Sequence, residues 1–204
     1  LESIEKEAFK YSKFETFSLP SKVTQIGQRA FSNCSCLKNF EILEDSELQS
    51  IGESAFSFTQ IKSLFIPKNL NELKEGWNLG IQNLNEIKVS SKKKNYSLYN
   101  NQILISKTNK ENEIFDEISI SCRNIESLKI KSSIKFISSF AFNKCRNLQT
   151  IEFSEDSQLA SIGQYSFSES KINKIVIPKH VKKIDEFAFF GCNFLKNITF
   201  QENS

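Results

Sequence analysis

A short pattern of apolar and polar positions recurs along the whole chain. Each copy has apolar residues at its first, fourth and sixth positions and mostly polar residues between them. The eight copies read FETFSL, LKNFEI, IKSLFI, LNEIKV, IESLKI, LQTIEF, INKIVI and LKNITF, starting at Phe14, Leu37, Ile61, Leu84, Ile125, Leu148, Ile172 and Leu195. Alternation of this kind is typical of a β-strand with one buried face. We therefore predict a short strand in each copy.

The spacing of these copies indicates that a block of repeats was duplicated. Successive copies start 23, 24, 23, 41, 23, 24 and 23 residues apart, so each of the last four follows one of the first four by 111 residues. A comparison of residues 26–72 with residues 137–183, made without gaps, finds 19 identities in 47 positions. A fixed period is typical of a solenoid. We predict one domain of 204 residues, with similar blocks at 1–89 and 115–204 and an insertion at 90–114.

The other half of each repeat has the spacing of a short helix. In residues 26–34 the apolar side chains stand at the first, fifth, sixth and ninth positions, close to a helical period. Ser50 with Glu53, and Ser161 with Gln164, have the spacing of a capping box. Because such segments are too short for a stable isolated helix, we predict only one or two turns of α- or 3-10 helix.

Stacking of the repeats predicts two columns of core side chains, since a single strand and turn cannot bury an apolar face. One column comprises Phe9, Phe31, Phe56, Phe142, Phe167 and Phe189. The other comprises Ile4, Ile26, Ile51, Leu73, Ile137, Ile162 and Ile184. The fourth repeat has Gly76-Trp77-Asn78 in place of Ala-Phe. We expect Trp77 to fill the vacated phenylalanine position; an exposed tryptophan that binds a partner is the alternative.

The stretch SLPSKVTQIGQRAFSNCSCLKNFEI, residues 18–42, resembles the BspA-type leucine-rich repeat family. The likeness covers residues 1–89 and 115–204, although the unit at Phe115 has Ile120 where the motif has phenylalanine. The resemblance implies an α/β solenoid: a curved, right-handed array with a parallel β-sheet on its concave face and short α or 3-10 turns on its convex side. It also implies microbial cell-surface proteins that attach to proteins of the host or of neighbouring cells.

Composition excludes several other classes of protein. A formal net charge of +3 gives no basic excess for binding nucleic acid or an anionic membrane. No apolar run approaches the roughly 18 residues of a membrane span, and no signal peptide is visible at the start. The chain has no methionine, so we expect it to be a processed form or a fragment. We also expect further repeats or another domain on either side of it.

The titratable side chains give no pattern for catalysis or metal binding. His180 is the only histidine, and no serine or cysteine motif supplies a nucleophile with its base. We predict no enzyme activity, no metal and no cofactor. Five cysteines exclude complete pairing within the chain. Only Cys122 and Cys145 occupy neighbouring repeats, so a disulfide there and buried free thiols are both open. Free thiols favour a reducing compartment, against the surface location that the family implies.

The insertion reads as a hairpin with basic and aromatic groups. The sequence YSLY-NN-QILI predicts two strands joined by a tight turn at Asn100 and Asn101. Residues 92–94 are all lysine, and Tyr96 and Tyr99 follow them. A binding loop and a solvated insertion beside the sheet are both compatible with this pattern.

The outward positions of the strands form the candidate binding surface. The residue between the last two apolar positions of each strand faces away from the core. We assign partner binding to Glu41, Phe65, Lys88, Lys129, Glu152 and Val176. Mixed charges with isolated apolar side chains suit protein recognition. Lys88 and Lys129 carry like charge in adjacent repeats, which indicates an acidic partner surface.

These patterns predict a non-enzymatic, protein-binding repeat module. The resemblance places it on a microbial cell surface or outside the cell, as an adhesin-like protein whose ligand is a host extracellular-matrix or cell-surface protein. The alternative is an intracellular scaffold or a regulatory segment of a larger protein. We expect no nucleic-acid partner and no membrane insertion by this segment, while the oligomeric state stays open.

Overall fold

The structure is a computed structural model that describes residues 1–202. The chain forms two compact units, Leu1–Gln102 and Ile103–Ser204, whose boundary falls inside the predicted insertion. The curvature and handedness that the family resemblance implies concern the whole array and stay predictions.

The first unit contains nine short strands, of which all but the last pair in parallel. They are β1 (Ser3–Ile4), β2 (Thr16–Ser18), β3 (Gln25–Ile26), β4 (Asn39–Glu41), β5 (Ser50–Ile51), β6 (Ser63–Ile66), β7 (Glu72–Leu73), β8 (Glu86–Val89) and β9 (Tyr96–Tyr99). Strands β1, β3, β5 and β7 form one parallel sheet, with the predicted isoleucine column in register. Strand β2 pairs with β4, and β6 pairs with β8, both in parallel.

The second unit repeats this arrangement and adds one antiparallel strand. Its strands are β10 (Ile103–Ser106), β11 (Glu117–Ser121), β12 (Ser127–Ile130), β13 (Phe136–Ile137), β14 (Thr150–Phe153), β15 (Ser161–Ile162), β16 (Lys174–Ile177), β17 (Lys183–Ile184) and β18 (Asn197–Phe200). Strands β11, β13, β15 and β17 are parallel, while β10 lies antiparallel to β11. Strands β12, β14, β16 and β18 form the other parallel sheet. All eight strands that the apolar pattern predicts are therefore present.

The predicted short helices are wrong: consecutive turns take their place, and no helix occurs within residues 1–202. The amides of Ala30 and Ser32 each donate to the carbonyl three residues earlier, at 3.2 and 3.0 Å. The amide of Phe31, between them, donates to the carbonyl of Ala55 in the next repeat at 2.8 Å. Alternate amides thus bond within the repeat and between repeats, so the turns contribute to the stacking.

Left-handed residues explain why these segments cannot be helical. Arg29 and Asn33 have φ of 56° and 60°, in a region that a right-handed helix excludes. Corresponding pairs, four residues apart, are Glu7 and Tyr11, Ser54 and Phe58, Gly76 and Gly80, Phe140 and Lys144, Tyr165 and Glu169, and Phe187 and Gly191. Hydrogen bonds between repeats, worth about 0.5–1.5 kcal/mol each, offset the conformational cost. The predicted capping boxes at Ser50 and Ser161 consequently have no helix to cap.

The phenylalanine column is confirmed within each unit. In the first unit the ring centroids of Phe9 and Phe31 lie 5.3 Å apart, and the next step, to Phe56, is 5.4 Å. In the second unit Phe142 stacks on Phe167 at 5.0 Å, and Phe167 stacks on Phe189 at 5.3 Å. Interplanar angles of 6–20° show that the rings are nearly parallel. Equivalent side chains of successive repeats therefore lie on each other.

Trp77 is buried, but it does not take the phenylalanine position. Its carbonyl accepts from the amide of Phe56 at 3.0 Å, which is the hydrogen bond that an alanine makes in the preceding repeat. The next residue, Asn78, stands at the phenylalanine position and is also buried. The indole meets the Phe56 ring edge-on, with centroids 6.5 Å apart. Trp77 thus covers the end of the first column from the alanine position.

No disulfide links any of the five cysteines, all of which lie within residues 1–202. Cys122 and Cys145 form no disulfide; the thiol of Cys145 instead donates to the carbonyl of Cys122 at 3.7 Å. The thiols of Cys34 and Cys192 donate to the carbonyls of Phe9 and Phe167, at 3.0 and 3.1 Å. Burial raises the pKa of both thiols. These cysteines act as small buried side chains that add a bond between repeats.

Candidate binding surface

The predicted outward positions lie on one face of the strands. In β6, Leu64 and Ile66 are buried, whereas Phe65 between them is half-buried. The same alternation holds in β12 and β16, where the residues between the buried positions are exposed. We call this surface the strand face: Ser18, Glu41, Phe65 and Lys88 in the first unit, and Lys129, Glu152, Val176 and Thr199 in the second.

In the first unit the strand face pairs unlike side chains. Ser18 lies opposite Glu41 on β2 and β4, and its hydroxyl donates to the Glu41 carboxylate. Phe65 lies opposite Lys88 on β6 and β8. The Lys88 ammonium also pairs with the carboxylate of Glu86, two residues earlier, at 3.0 Å. The surface therefore offers one acid, one base and one aromatic ring on rigid strands.

In the second unit the strand face has the same mixed character. Lys129 lies opposite Glu152 on β12 and β14, and Val176 lies opposite Thr199 on β16 and β18. Val176 is 47% exposed, which is high for an aliphatic side chain in a strand. Lys129 belongs to this unit and Lys88 to the first, so their predicted adjacency stays a prediction.

A groove in the second unit was not singled out by the sequence pattern. It has a volume of about 670 Å³ and is lined by Gln149, Lys171, Asn173, Lys174, Phe194, Lys196 and Asn197. We call it the lysine groove. Its lining residues come from three consecutive repeats, at the starts of β14, β16 and β18. A comparison of the two blocks would have indicated it. The residues 111 positions before Lys171, Lys174 and Lys196 are not lysines.

The first part of the insertion, residues 90–102, packs on the first unit. The ammonium group of Lys93 donates to the carbonyl of Lys68 at 3.1 Å and to the carbonyl of Leu70. The same group lies 5.4 Å from the ring centroid of Tyr96, which is buried. Asn100 and Asn101 have φ of 51° and 56°, as a tight hairpin turn requires. These contacts favour a packed insertion over a free binding loop.

The sequence pattern also did not predict that one arginine, Arg123, is buried. Arg123 is 4% exposed, and its Nη1 donates to the carbonyl of Ala141 at 2.8 Å and lies 3.6 Å from Cys145 Sγ. It belongs to the degenerate fifth repeat, where strand β11 replaces the usual turns. Because the guanidinium supplies donors that those turns would otherwise supply, its role is structural.

The described residues show neither the ligand cluster of a metal site nor a helix that could span a membrane. Among residues 1–202, no three His, Cys, Asp or Glu side chains converge as metal ligands would. His180 is exposed on the turn after β16. The same part of the chain includes no helix with the length and apolar character needed to cross a bilayer.

Comparison with protein families identifies the repeats. A family model described as BspA type leucine-rich repeat region matches residues 2–119 and 111–204, in six copies. Together the two matches span nearly the whole chain. No curated protein matches it.

Solved structures share the fold. The pneumococcal vaccine antigen PcpA superposes with a TM-score of 0.81 at 24% identity, and a leucine-rich repeat protein from Eubacterium ventriosum with 0.79 at 24%. A leucine-rich cell surface protein from Faecalibacterium prausnitzii gives 0.65 at 22%. Each alignment covers 98% of this chain but only 54%, 57% and 63% of the three structures. The chain thus spans less than two thirds of the length of each, and the likeness shows a common fold.

Proposed function

Because the chain belongs to the BspA-type leucine-rich repeat family, we propose that it is a non-enzymatic module whose strand face binds a protein ligand. The observation that carries this proposal is the side-chain alternation on the strands. Buried Leu64 and Ile66 fix β6, so that Phe65 is presented outward beside Lys88. A parallel ladder holds these outward side chains before any ligand arrives, which lowers the conformational cost of binding.

The composition of the strand face supports a protein as the ligand. Phe65 and Val176 offer apolar contact area, and Glu41, Lys88, Lys129 and Glu152 supply charges of both signs around it. Protein interfaces combine an apolar centre with a polar rim in this way. The lysines favour an acidic area on the partner, since opposite charges speed association and fix the register.

We place the protein on a microbial cell surface, where it would act as an adhesin-like protein for a host extracellular-matrix or cell-surface protein. The support is the family and the description of one relative as a cell surface protein and of another as a vaccine antigen. Membrane-impermeant biotinylation of intact cells should label the native protein. Failure to label it while a known surface protein is labelled would contradict this location.

An intracellular scaffold is the second candidate, and the five free cysteines favour it. Thiol titration of native material, with and without reductant, separates the two locations. Equal counts would indicate a reducing compartment. A lower count without reductant would indicate an oxidising one, with half-exposed Cys36 the first thiol expected to be blocked.

Capture experiments test the strand face directly. A panel of purified extracellular-matrix proteins is immobilised, and binding of the parent is compared with Phe65→Asp and Lys88→Glu. We expect each variant to lose about tenfold in affinity, because Phe65 and Lys88 lie side by side on neighbouring strands. Leu43→Asp and Lys68→Glu, at exposed turn positions, are the matched controls. Variants that bind as well as the parent would exclude the strand face.

A further inference from the structure

We propose that the lysine groove of the second unit binds an acidic peptide segment of the protein partner. The inference rests on the protein-binding role proposed above and adds a second, chemically distinct contact to it. The groove and the strand face adjoin, because Lys174 lines the groove and Val176 lies two residues further along the same outward side of β16.

The charges that line the groove have one sign. Lys171, Lys174 and Lys196 supply three ammonium groups, and no aspartate or glutamate is among the seven lining residues. All three lysines are exposed, and none forms an ion pair within residues 1–202. Three neighbouring cations repel each other, so a ligand that brings carboxylates relieves this repulsion as it binds.

The equivalent surface of the first unit lacks this excess of positive charge. Lys171 and Lys196 correspond to Gln60 and Asn85, 111 positions earlier, and Lys174 corresponds to Ser63. The other equivalents are also different: Asn173 corresponds to Lys62, Phe194 to Asn83, Asn197 to Glu86 and Gln149 to Lys38. Several polar side chains of that surface have partners within the first unit. The amide of Asn83 donates to Gln60 at 2.6 Å, Lys38 pairs with Glu15 at 3.0 Å, and Glu86 pairs with Lys88 at 3.0 Å.

The absence of such internal partners distinguishes the lysine groove from an ordinary solvated surface. In the first unit Lys38 pairs with Glu15 and Glu86 pairs with Lys88, whereas the second unit has Gln149 and Asn197 in place of Lys38 and Glu86. Glu126, the equivalent of Glu15, is kept but does not line the groove. The amide side chains of Gln149, Asn173 and Asn197 remain as hydrogen-bond donors and acceptors in the groove. They suit the backbone of an extended peptide, whose carboxylates would meet the lysines.

Apolar groups beside the groove favour a peptide over an acidic polysaccharide. Phe194 in the groove is 55% exposed, and Val176 on the adjoining strand face is 47% exposed. A peptide with interspersed apolar side chains covers both groups, and this burial is favourable. A polyuronate would place hydroxyl groups against the valine, where they would lose hydrogen bonds to water without replacement.

Calorimetric titration of the whole chain tests this inference. The probes are a short synthetic peptide of alternating glutamate and leucine, the same peptide with glutamine for glutamate, and a short hyaluronan oligosaccharide. We expect only the glutamate peptide to bind, and we expect its affinity to fall as salt is added. A triple variant with Lys171→Gln, Lys174→Gln and Lys196→Gln should lose about tenfold or more in affinity.

The matched control removes the same charge elsewhere. Lys68→Gln, Lys179→Gln and Lys182→Gln change three exposed lysines that do not line the groove. Lys68 and Lys179 lie in turns after β6 and β16, and Lys182 directly precedes β17. This control should lose less than about twofold. Equal losses in both triple variants would overturn the inference, as would the absence of peptide binding. Binding of hyaluronan in place of the peptide would also overturn it and assign the groove to a saccharide.

The groove and the strand face can fail separately. Phe65→Asp lies in the first unit and should leave peptide binding unchanged. If the peptide fails to bind while matrix capture still depends on Phe65, only the groove is excluded. If the peptide binds at the lysines while capture ignores Phe65, the strand face is excluded and the groove stands.

Discussion

Each unit contains a column of stacked phenylalanine rings, and the two units surround their columns differently. In the first unit the strands add further aromatic rings: Phe17 and Phe40 meet Phe31 edge-on, at 4.9 and 5.1 Å. In the second unit the equivalent strand positions hold Leu128 and Ile151. The column is therefore the common requirement of the repeat, because it joins each copy to the next. The strand interior needs only apolar side chains of suitable volume.

The units also differ at the left-handed residue that precedes the column. Arg29 and Ser54 occupy this position in the first unit, and Arg29 lies 3.6 Å from the carboxylate of Glu7. In the second unit Phe140, Tyr165 and Phe187 occupy it and stack in turn at 5.4 and 4.9 Å. One unit thus uses charge where the other uses a second aromatic column. A duplicated block has kept its interior and changed its surface.

The largest expected effect on stability comes from removing one ring from the phenylalanine column of a unit. Phe31→Ala should lower the free energy of unfolding by roughly 3–5 kcal/mol, because a fully buried ring is replaced by a cavity. Phe142→Ala should cost less, since Phe142 stacks on Phe167 and has aliphatic neighbours on the strands. Urea unfolding followed by circular dichroism measures both. A larger cost for Phe142→Ala would contradict the comparison.

The second aromatic column should have a smaller effect. Tyr165→Ser installs the residue found at the equivalent position of the first unit, Ser54. It removes two stacked neighbours, so we expect a loss of about 1–3 kcal/mol in urea unfolding. The reverse change, Ser54→Tyr, should give no gain, because Arg29 and Gly76 offer no ring to stack on. If Ser54→Tyr raised the free energy of unfolding by a similar amount, stacking within the second aromatic column would not be the cause of the loss in Tyr165→Ser.

The smallest expected effect concerns Glu7, which with Arg29 occupies in the first unit the position of the second aromatic column. A hydrogen bond from Lys10, with smaller contributions from nearby cations, holds the pKa of Glu7 below its ordinary value of 4.5. Because this pKa is lowered in the folded state, the contribution is present above the ordinary pKa and is lost as pH falls through the folded value. Glu7→Gln should therefore lower the unfolding midpoint slightly at pH 7 and not at pH 3. An equal shift at both pH values would contradict this reason.

The strands and the phenylalanine column could be predicted from the sequence because the same pattern of apolar residues recurs in successive repeats. The helical turns could not, because apolar residues at Ile26, Ala30, Phe31 and Cys34 fit a helix as well as consecutive turns. The difference lies in the left-handed φ of Arg29, and an arginine gives no local signal for it. Gly76, Gly80 and Gly191 were the clear indications, since their φ of 65°, 70° and 67° is a conformation that glycine adopts readily.

The strand face could be located from the alternation of apolar and polar residues, whereas the lysine groove could have been indicated only by comparing the two blocks. Its lysines lie in two repeats and its amides in three, so no local motif joins them. Only the register of neighbouring strands, as for Lys174 opposite Asn197, brings them to one place. Burial of Trp77 was predicted, but its position was not: Trp77 occupies the alanine position of the repeat and Asn78 the phenylalanine position.

Grafting the first unit's surface onto the second tests most directly whether the units share an interior and differ in binding. The graft keeps Gln149 and replaces the other six groove residues by their equivalents 111 positions earlier: Lys171→Gln, Asn173→Lys, Lys174→Ser, Phe194→Asn, Lys196→Asn and Asn197→Glu. All six are exposed, so the urea midpoint should stay at the parent value while affinity for the glutamate peptide is lost. A graft that unfolds much earlier, or that binds the peptide as the parent does, would contradict the account.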